Sequence, residues 1–383
     1  MVSPSDQPPA SVPASDSAAV AAPPNVFDFA PPALADHLVA AGWPKFRAGQ
    51  ITKWIYEKAT IDPAAMTDLG AAQREQLPAA LDISAGEIKA DQLSEDGTHK
   101  VLIAWPDGAE AETVMIPDGN RRTACVSSQV GCPVGCKFCA SGVAGLKQNL
   151  TTGRILQQVW HLTRGLQARG DPVGRITNLV FMGMGEPLAN YPNVIAAVHR
   201  LHDPKQFGLG WRRMTLSTVG VPPRMRQLAD EDVPINLALS LHAPEEHLRR
   251  EIIPWAGHFE LQDILDSCKY YFDKTGREVT FEYILLAGVN DEPHHAKRLA
   301  AICRNGGFKV NVNLLRYNEV PGLPFDRPGS NRVMRFQNLL REQGVTAHVR
   351  RSRGRDIDAA CGQLRRKQTA PPVEQLVQIG NGS

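Results

Sequence analysis

From Thr123 to about residue 351 the chain alternates short apolar runs with longer amphipathic ones, and this rhythm limits the fold more than any other feature. ACVSSQ precedes a helix-like stretch at 152–169, TNLVFM one at 191–203, and MTLST one at 222–231. INLALSLHA, VTFEYILL and VNVNLL lead in the same way into stretches at 261–275, 293–305 and 331–343, before a last run, TAHVRR. Runs that are apolar on both faces need cover on both faces, so they predict a parallel sheet dressed with helices. Six or seven units suit a full or partial α/β barrel; a doubly wound open sheet is the competing arrangement. In either, the chemistry belongs at the carboxyl ends of the strands.

The rest of the 383 residues reads as appendages to that domain. Residues 26–83 space apolar positions at three and four (ALADHLVAAGW, FRAGQITKWIYEKA), which predicts a small helical domain. Residues 84–120 alternate, with DG turns at 96–97 and 107–108, as a short β extension would. Residues 121–365 carry the repeating units. The Pro, Ala and Ser bias of residues 1–25 reads as a disordered leader, and 366–383 as a flexible tail. The leader lacks the basic start and compact apolar stretch of a signal peptide, and no run approaches a membrane span, so no membrane is expected. Seven cysteines, odd in number and unevenly spread, do not form a disulfide framework and fit a reducing cytoplasm. A net charge of +2 does not argue for nucleic acid by itself, although WPKFR (43–47) and RRSRGR (350–355) are local basic spots.

Three of the seven cysteines, Cys132, Cys136 and Cys139, fall in one short stretch, GCPVGCKFCASG. A structural zinc wants four ligands, commonly as two separated pairs, and nothing downstream supplies the second pair. A thioredoxin-like site needs only two cysteines, which leaves Cys132 surplus. Three thiolates on a four-iron cluster leave one iron free to bind a substrate or cofactor. Gly131, Gly135 and Gly142 would let the backbone fold closely around such a body, with Phe138 shielding one side. At the second strand end, FMGMGEPLAN (181–190) lacks the third glycine of a dinucleotide fingerprint. STVG, SLHA and RYNEVPG place further polar groups at strand ends, as a ligand pocket requires.

The cysteine spacing with its aromatic, C-x3-C-x-F-C, resembles the radical S-adenosylmethionine (SAM) superfamily. ETVMIP (112–117), CVSSQVGC, FMGMGEPL, STVG, SLHA and RGRDIDAACGQL (353–364), in this order, resemble the RlmN/Cfr family of radical SAM RNA methyltransferases, and FRAGQITKWIY resembles its RNA-contacting N-terminal domain. The likeness spans roughly residues 30–365. It implies an α/β fold, a partial (β/α)6-type radical SAM barrel with a small helical N-terminal domain and a short β extension. It implies a [4Fe-4S] cluster on Cys132, Cys136 and Cys139, and SAM, two per turnover, contacted by Gly185, Glu186, Ser217, Ser240, Leu241, His242 and Asn318.

The resemblance also implies roles for the remaining groups. Cys361 would carry a methyl from one SAM, a radical made from a second SAM would activate that methyl, and the methylene would add to an adenine carbon. Glu112 would take the ring proton, and Cys125 would release the product by attacking the Cys361 sulfur. The arginines before Cys361 would favour its thiolate. Without the likeness, Glu112 reads as a surface carboxylate on an edge strand, and Cys268 and Cys303 as core packing. The implied partners are 23S rRNA, tRNA and an electron donor such as flavodoxin, acting on a cytoplasmic monomer. The RlmN branch methylates C2 of adenosine and the Cfr branch C8; FMGMGEPL leans toward RlmN. Another radical SAM enzyme, for instance a protein activase, would not need Cys125 and Cys361 together. A non-catalytic iron–sulfur RNA-binding protein would bind RNA without cleaving SAM.

Overall fold

The structure, a computed structural model, describes residues 23–231 and 233–364. Most of the expected leader and the expected tail lie outside the described residues. Three helices come first, α1 (Pro31–Ala40), α2 (Arg47–Tyr56) and α3 (Ala71–Ala80). An antiparallel meander follows: β1 (Glu87–Leu93), β2 (His99–Ala104), β3 (Glu110–Asp118) and β4 (Arg121–Cys125). A small hairpin of β5 (Gln129–Gly131) and β6 (Leu146–Asn149) encloses the cysteine loop and the one-turn helix α4 (Ala140–Val143).

Regular alternation then begins: α5 (Thr152–Ala168), β7 (Asn178–Phe181), α6 (Tyr191–His202), β8 (Met214–Thr218), α7 (Pro222–Asp230) and β9 (Asn236–Ser240). It continues through α8 (Glu246–Ile252), α9 (Leu261–Thr275), β10 (Val279–Leu285), α10 (Pro293–Asn305), β11 (Val310–Arg316), α11 (Ser330–Glu342) and β12 (Ala347–Arg350). Prolines open α6, α7 and α10 in their first turns, where a missing N–H costs nothing.

All ten main strands join one sheet in the order β1-β2-β3-β4-β7-β8-β9-β10-β11-β12. From β4 onward every pairing is parallel. A doubly wound sheet would reverse its strand order partway; this order never reverses, so the chain winds in one sense as a barrel does. β1 and β12 are not paired with each other, which leaves the barrel open. Six helical crossovers separate the seven parallel strands, matching the expected (β/α)6 count with one strand more. The strands are buried as continuous apolar runs, as VTFEYIL in β10 illustrates, and they form one core with the inner faces of the helices. Among the described residues no helix is long and apolar enough to cross a membrane.

The helical N-terminal region is fastened to this core by polar contacts as well as apolar ones. The fully buried Trp160 of α5 donates its indole N–H to Ile55 O at 2.8 Å. Buried Arg200 of α6 donates to Tyr56 Oη at 2.7 Å, to Gln206 Oε1 at 3.1 Å and to Phe27 O. Asn25, at the edge of the expected leader, bridges Asp82 and donates to its carboxylate at 2.8 Å.

Arg200→Met leaves three acceptors unsatisfied, so local opening of residues 31–80 should become easier by about 2–4 kcal/mol. Amide exchange should then be roughly 30- to 700-fold faster there than in the wild type, with β8–β11 unchanged. Uniform exchange across both regions would show that Arg200 is not a local fastener.

Candidate active site

The parallel strands deliver one functional side chain after another to the same edge of the sheet. Cys125 ends β4, Glu186 follows β7, Ser217 lies near the end of β8, Ser240 ends β9, and Asn318 follows β11. The cysteine loop lies over this edge. Cys132 N donates to Gly145 O at 3.0 Å, Lys137 N to Ile252 O at 3.0 Å, and Trp255 N to Val134 O at 3.2 Å, so the loop is braced by its own hairpin and by the end of α8. A Cβ on Gly131 would stand 1.8 Å from Gly145 O; at φ +76° only glycine admits this closure.

Cys132, Cys136 and Cys139 are half-buried and pack against an apolar wall that includes Val134, Phe138, Leu248, Ile253 and Tyr317. Burial pushes all three thiols up, Cys132 to about 12, and Cys139 and Cys132 push Cys136 higher still. The three-thiol donor set, in a loop closed by Gly131, fits an iron–sulfur cluster. Among the described residues Glu245, His294 and His295 bring ligand atoms within 4.8 Å of one another as a set. The Glu245 group carries its own ionic contacts, with Arg298 at 3.9 Å and His247 at 3.6 Å.

The expected SAM contacts surround this loop. Gly185 adopts φ +109°, and a Cβ there would come within 2.7 Å of Ser128 Oγ and of Gln129 Cβ. Buried Glu186 accepts from Leu188 N at 2.9 Å and Val219 N at 2.8 Å, while its own N–H donates to Gln129 Oε1 at 2.8 Å. Burial raises its carboxyl to about 7. Ser217 and Ser240 hydroxyls meet at 3.2 Å. Leu241 and His242 follow β9, and their N–H groups donate to Glu282 O, so the strand end is tied to β10. His242 holds a left-handed φ of +57° and lies edge-on to Phe138 at 5.1 Å. Its Nδ1 accepts from Ile284 N at 3.1 Å, and burial with nearby Arg249 lowers its pKa to about 3, so it is neutral. Buried Asn318 donates to Cys361 O at 3.4 Å and accepts from Arg327 at 3.2 Å.

The segment carrying Cys361 is held at both ends. Upstream, the β1–β2 turn grips it: Ser94 Oγ donates to Asp356 at 2.6 Å, Gly354 N to Asp96 at 3.1 Å, and Lys100 Nζ to Asp358 O at 3.2 Å. Downstream it docks on α4: Ala140 N donates to Gly362 O at 2.9 Å and Ser141 Oγ to Leu364 O at 2.7 Å. The same Lys100 Nζ lies 3.1 Å from Glu112 Oε1, and both side chains are buried. Glu112 is therefore not the surface carboxylate of the plain reading: β3 is paired on both sides, and Ser127 Oγ donates to the Glu112 carbonyl at 2.7 Å. Cys125, buried, shares an apolar cluster with Ala359 and Leu364 and is within electrostatic reach of Cys361.

One expectation about Cys361 fails. Of the basic residues before it, Arg350 lowers its pKa, but burial and then the Glu282 carboxylate outweigh that, and the thiol is raised to about 11. The residue itself is exposed. Cys268 and Cys303 are buried on α9 and α10, as expected. Sequence reasoning missed Lys100, Asp96, Asp356, Gln129 and Arg249; Asp96, Gln129 and Asp356 lie inside stretches singled out for other residues, whereas Lys100 and Arg249 stand in no distinctive local pattern.

Known proteins match this architecture along nearly its whole length. The family described as the Radical SAM superfamily matches residues 126–300, and the ribosomal RNA large subunit methyltransferase N-terminal domain matches residues 24–83. A probable dual-specificity RNA methyltransferase RlmN of Chloroflexus aurantiacus is 43% identical over 365 residues, covering 93% of this chain and 97% of its own. The dual-specificity RNA methyltransferase RlmN of Francisella tularensis subsp. novicida is 41% identical over 342 residues, covering 89% and 92%. The crystal structure of a radical SAM methyltransferase from Sphaerobacter thermophilus superposes with a TM-score of 0.86 at 41% identity, covering 90% of this chain and 99% of that one. With the cysteine loop and the helical N-terminal region inside the matched families, and relatives above 40% identity covering about nine-tenths of its length, the chain belongs to the RlmN family of radical SAM RNA methyltransferases.

Proposed function

We propose that this protein methylates C2 of adenosine in 23S rRNA and in tRNA through a methylated Cys361, with Cys125 as the resolving thiol and Glu112 as the proton acceptor. The observation that carries the reading is the convergence of three chemically distinct groups on one segment. Cys125 lies within electrostatic reach of Cys361, and Lys100 joins the buried Glu112 to Asp358, three residues before Cys361. A cluster-holding enzyme that only generated a radical would need none of them.

The chain's own residues have separable tasks. Cys132, Cys136 and Cys139 would hold the [4Fe-4S] cluster, which when bound supplies the electron that cleaves SAM. Gly185, Glu186, Ser217, Ser240, Leu241, His242 and Asn318 would orient SAM at the strand ends. The Cys361 sulfur takes the methyl carbon of one SAM, whose sulfonium bond breaks toward S-adenosylhomocysteine; a second SAM serves the radical step. Once the sulfur-bound carbon is joined to the adenine ring, Glu112 accepts the C2 proton. Cys125 then attacks the Cys361 sulfur: an S–S bond forms, the C–S bond breaks with its electron pair left on the carbon, and that carbon takes up a proton to become the methyl group on the base. A thiol reductant resets the pair. The target base must be splayed from its stack to reach Cys361, and basic surface around WPKFR would favour the RNA backbone. A cytoplasmic monomer served by a flavodoxin-like donor completes the reading.

Anaerobically reconstituted protein given SAM, reductant and a ribosomal RNA fragment should yield 2-methyladenosine by mass spectrometry, and none from Cys361→Ala. The 8-methyl isomer would move the reaction to the other ring carbon and refute the C2 assignment. Cys125→Ala should accumulate a covalent protein–RNA adduct, visible as a shifted band. Glu112→Gln should slow product formation by about 10²–10⁴. Wild-type turnover in either variant would remove that residue from the mechanism.

The raised Cys361 thiol adds a pH dependence. Below about 11 the neutral form dominates, so its alkylation by iodoacetamide should rise about tenfold per pH unit between 7 and 10. A rate that levels off near pH 8 would show that the arginines hold it as thiolate after all.

A further inference from the structure

Arg249 of α8 is the one arginine buried to 0% exposure among the described residues, directly beneath the strand ends of the site. All its hydrogen bonds go to backbone carbonyls: Nε to Leu241 O at 3.1 Å, and Nη2 to Val219 O and, at 3.5 Å, to Ser240 O. These carbonyls belong to the ends of β8 and β9, where Ser240, Leu241 and His242 stand. The remaining nitrogen, Nη1, is buried and has no partner. Burial lowers the guanidinium only to about 10, so it stays charged at neutral pH.

A buried cation with an unsatisfied N–H is strongly disfavoured unless an anion faces it. The described residues offer no carboxylate in ion-pair contact with it. They do place the cysteine loop against the same helix: Lys137 N donates to Ile252 O of α8 at 3.0 Å, and Leu248 and Ile252 pack with Cys132, Cys136 and Cys139 in one apolar cluster. A four-iron cluster on three thiolates bears a net charge of about −1, and about −2 once reduced. Its attraction to a fixed neighbouring cation grows on reduction.

We propose that Arg249 is the charge partner of the iron–sulfur centre, a positioning residue whose buried guanidinium stabilises the reduced cluster and whose other N–H groups tie α8, the helix that braces the cysteine loop, to the strand ends that receive SAM. The proposal rests on the cysteine loop holding a cluster. Removing the charge makes reduction harder; keeping the charge while losing the fork geometry does not.

The test is the midpoint potential of the reconstituted protein, measured by spectroelectrochemistry without SAM. At the wild-type midpoint, Arg249→Gln should show about a tenfold lower ratio of reduced to oxidised cluster, a negative shift of about 59 mV for a one-electron couple. Arg249→Lys should stay near the wild type. An unmoved midpoint in Arg249→Gln overturns the proposal. So does a shift that appears only on adding SAM, which would assign the guanidinium to the SAM carboxylate. If Arg249→Gln does not fold, the wild-type protein labelled with guanidino-¹⁵N arginine decides. The reduced cluster should show ¹⁵N modulation in pulsed electron paramagnetic resonance, and its absence overturns the proposal. A wild-type protein that takes up no iron would fail the cluster reading itself, an outcome distinct from a cluster indifferent to Arg249.

Discussion

Parallel pairing forces every strand of the barrel to end on the same side, and the functional geometry of this protein depends on that constraint. Seven strands in unbroken spatial order bring residues from 125 to 318 to one edge, although they are scattered over half the chain. The edge is polar where the strands are not. Ser217 meets Ser240, the Glu186 carboxylate accepts two backbone N–H groups, and the neutral His242 is fixed by Ile284 N. Glu186 and His242 each satisfy a neighbour's backbone, while the two serine hydroxyls partner each other across adjacent strands. The ends are thereby stiff before any ligand arrives, which is what placement of a reactive cofactor requires.

The β extension does more than lead into the barrel. Its first turn and its second strand grip the segment that carries Cys361, across about 260 residues of sequence, through Ser94, Asp96 and Lys100. Because β3 and β4 continue the same sheet into the parallel strands, the grip is referenced to the barrel and not to a loose arm. Lys100 stands at the joint: one ammonium serves the Glu112 carboxylate and the Asp358 carbonyl. Displacing the segment would leave the buried Lys100 ammonium short of one acceptor, so Glu112 and the Cys361 segment are held in register by a single side chain.

How much of this was legible depends on range. Strands and helices are periodic, so runs such as TNLVFM and VNVNLL found their elements, and the three-cysteine loop announced itself through spacing alone. Glu112 and Lys100 are different. A charged residue in a strand reads as solvent-facing, and only the partner strands on both sides of β3 show that it is not. Arg249 sits in EEHLRREI, which reads as a solvated helix face, yet that face is turned under the strand ends. The arginines at 350–355 misled for the converse reason. Nearness in sequence suggested a field at Cys361, but among those basic residues Arg350 acts on the thiol, and Glu282, from a distant strand, acts against it.

The raised thiols sort themselves for the roles proposed. If Cys125 were the more easily ionised, it would compete for the first methyl, and a methylated Cys125 could not resolve anything. Burial instead holds Cys125 higher than Cys361, and a charge on Cys361 raises Cys125 further, which favours one thiolate at a time. Cys361 is also the exposed member, open to a cofactor, whereas Cys125 lies behind Ala359 and Leu364. Methylating Cys361 removes its competing charge. The remaining pressure on Cys125 is desolvation, and that is relieved only if its surroundings open or the Cys361 sulfur becomes electrophilic beside it. On the roles proposed, carrier first and resolver second, the order of use would match the depth at which the fold buries the two cysteines.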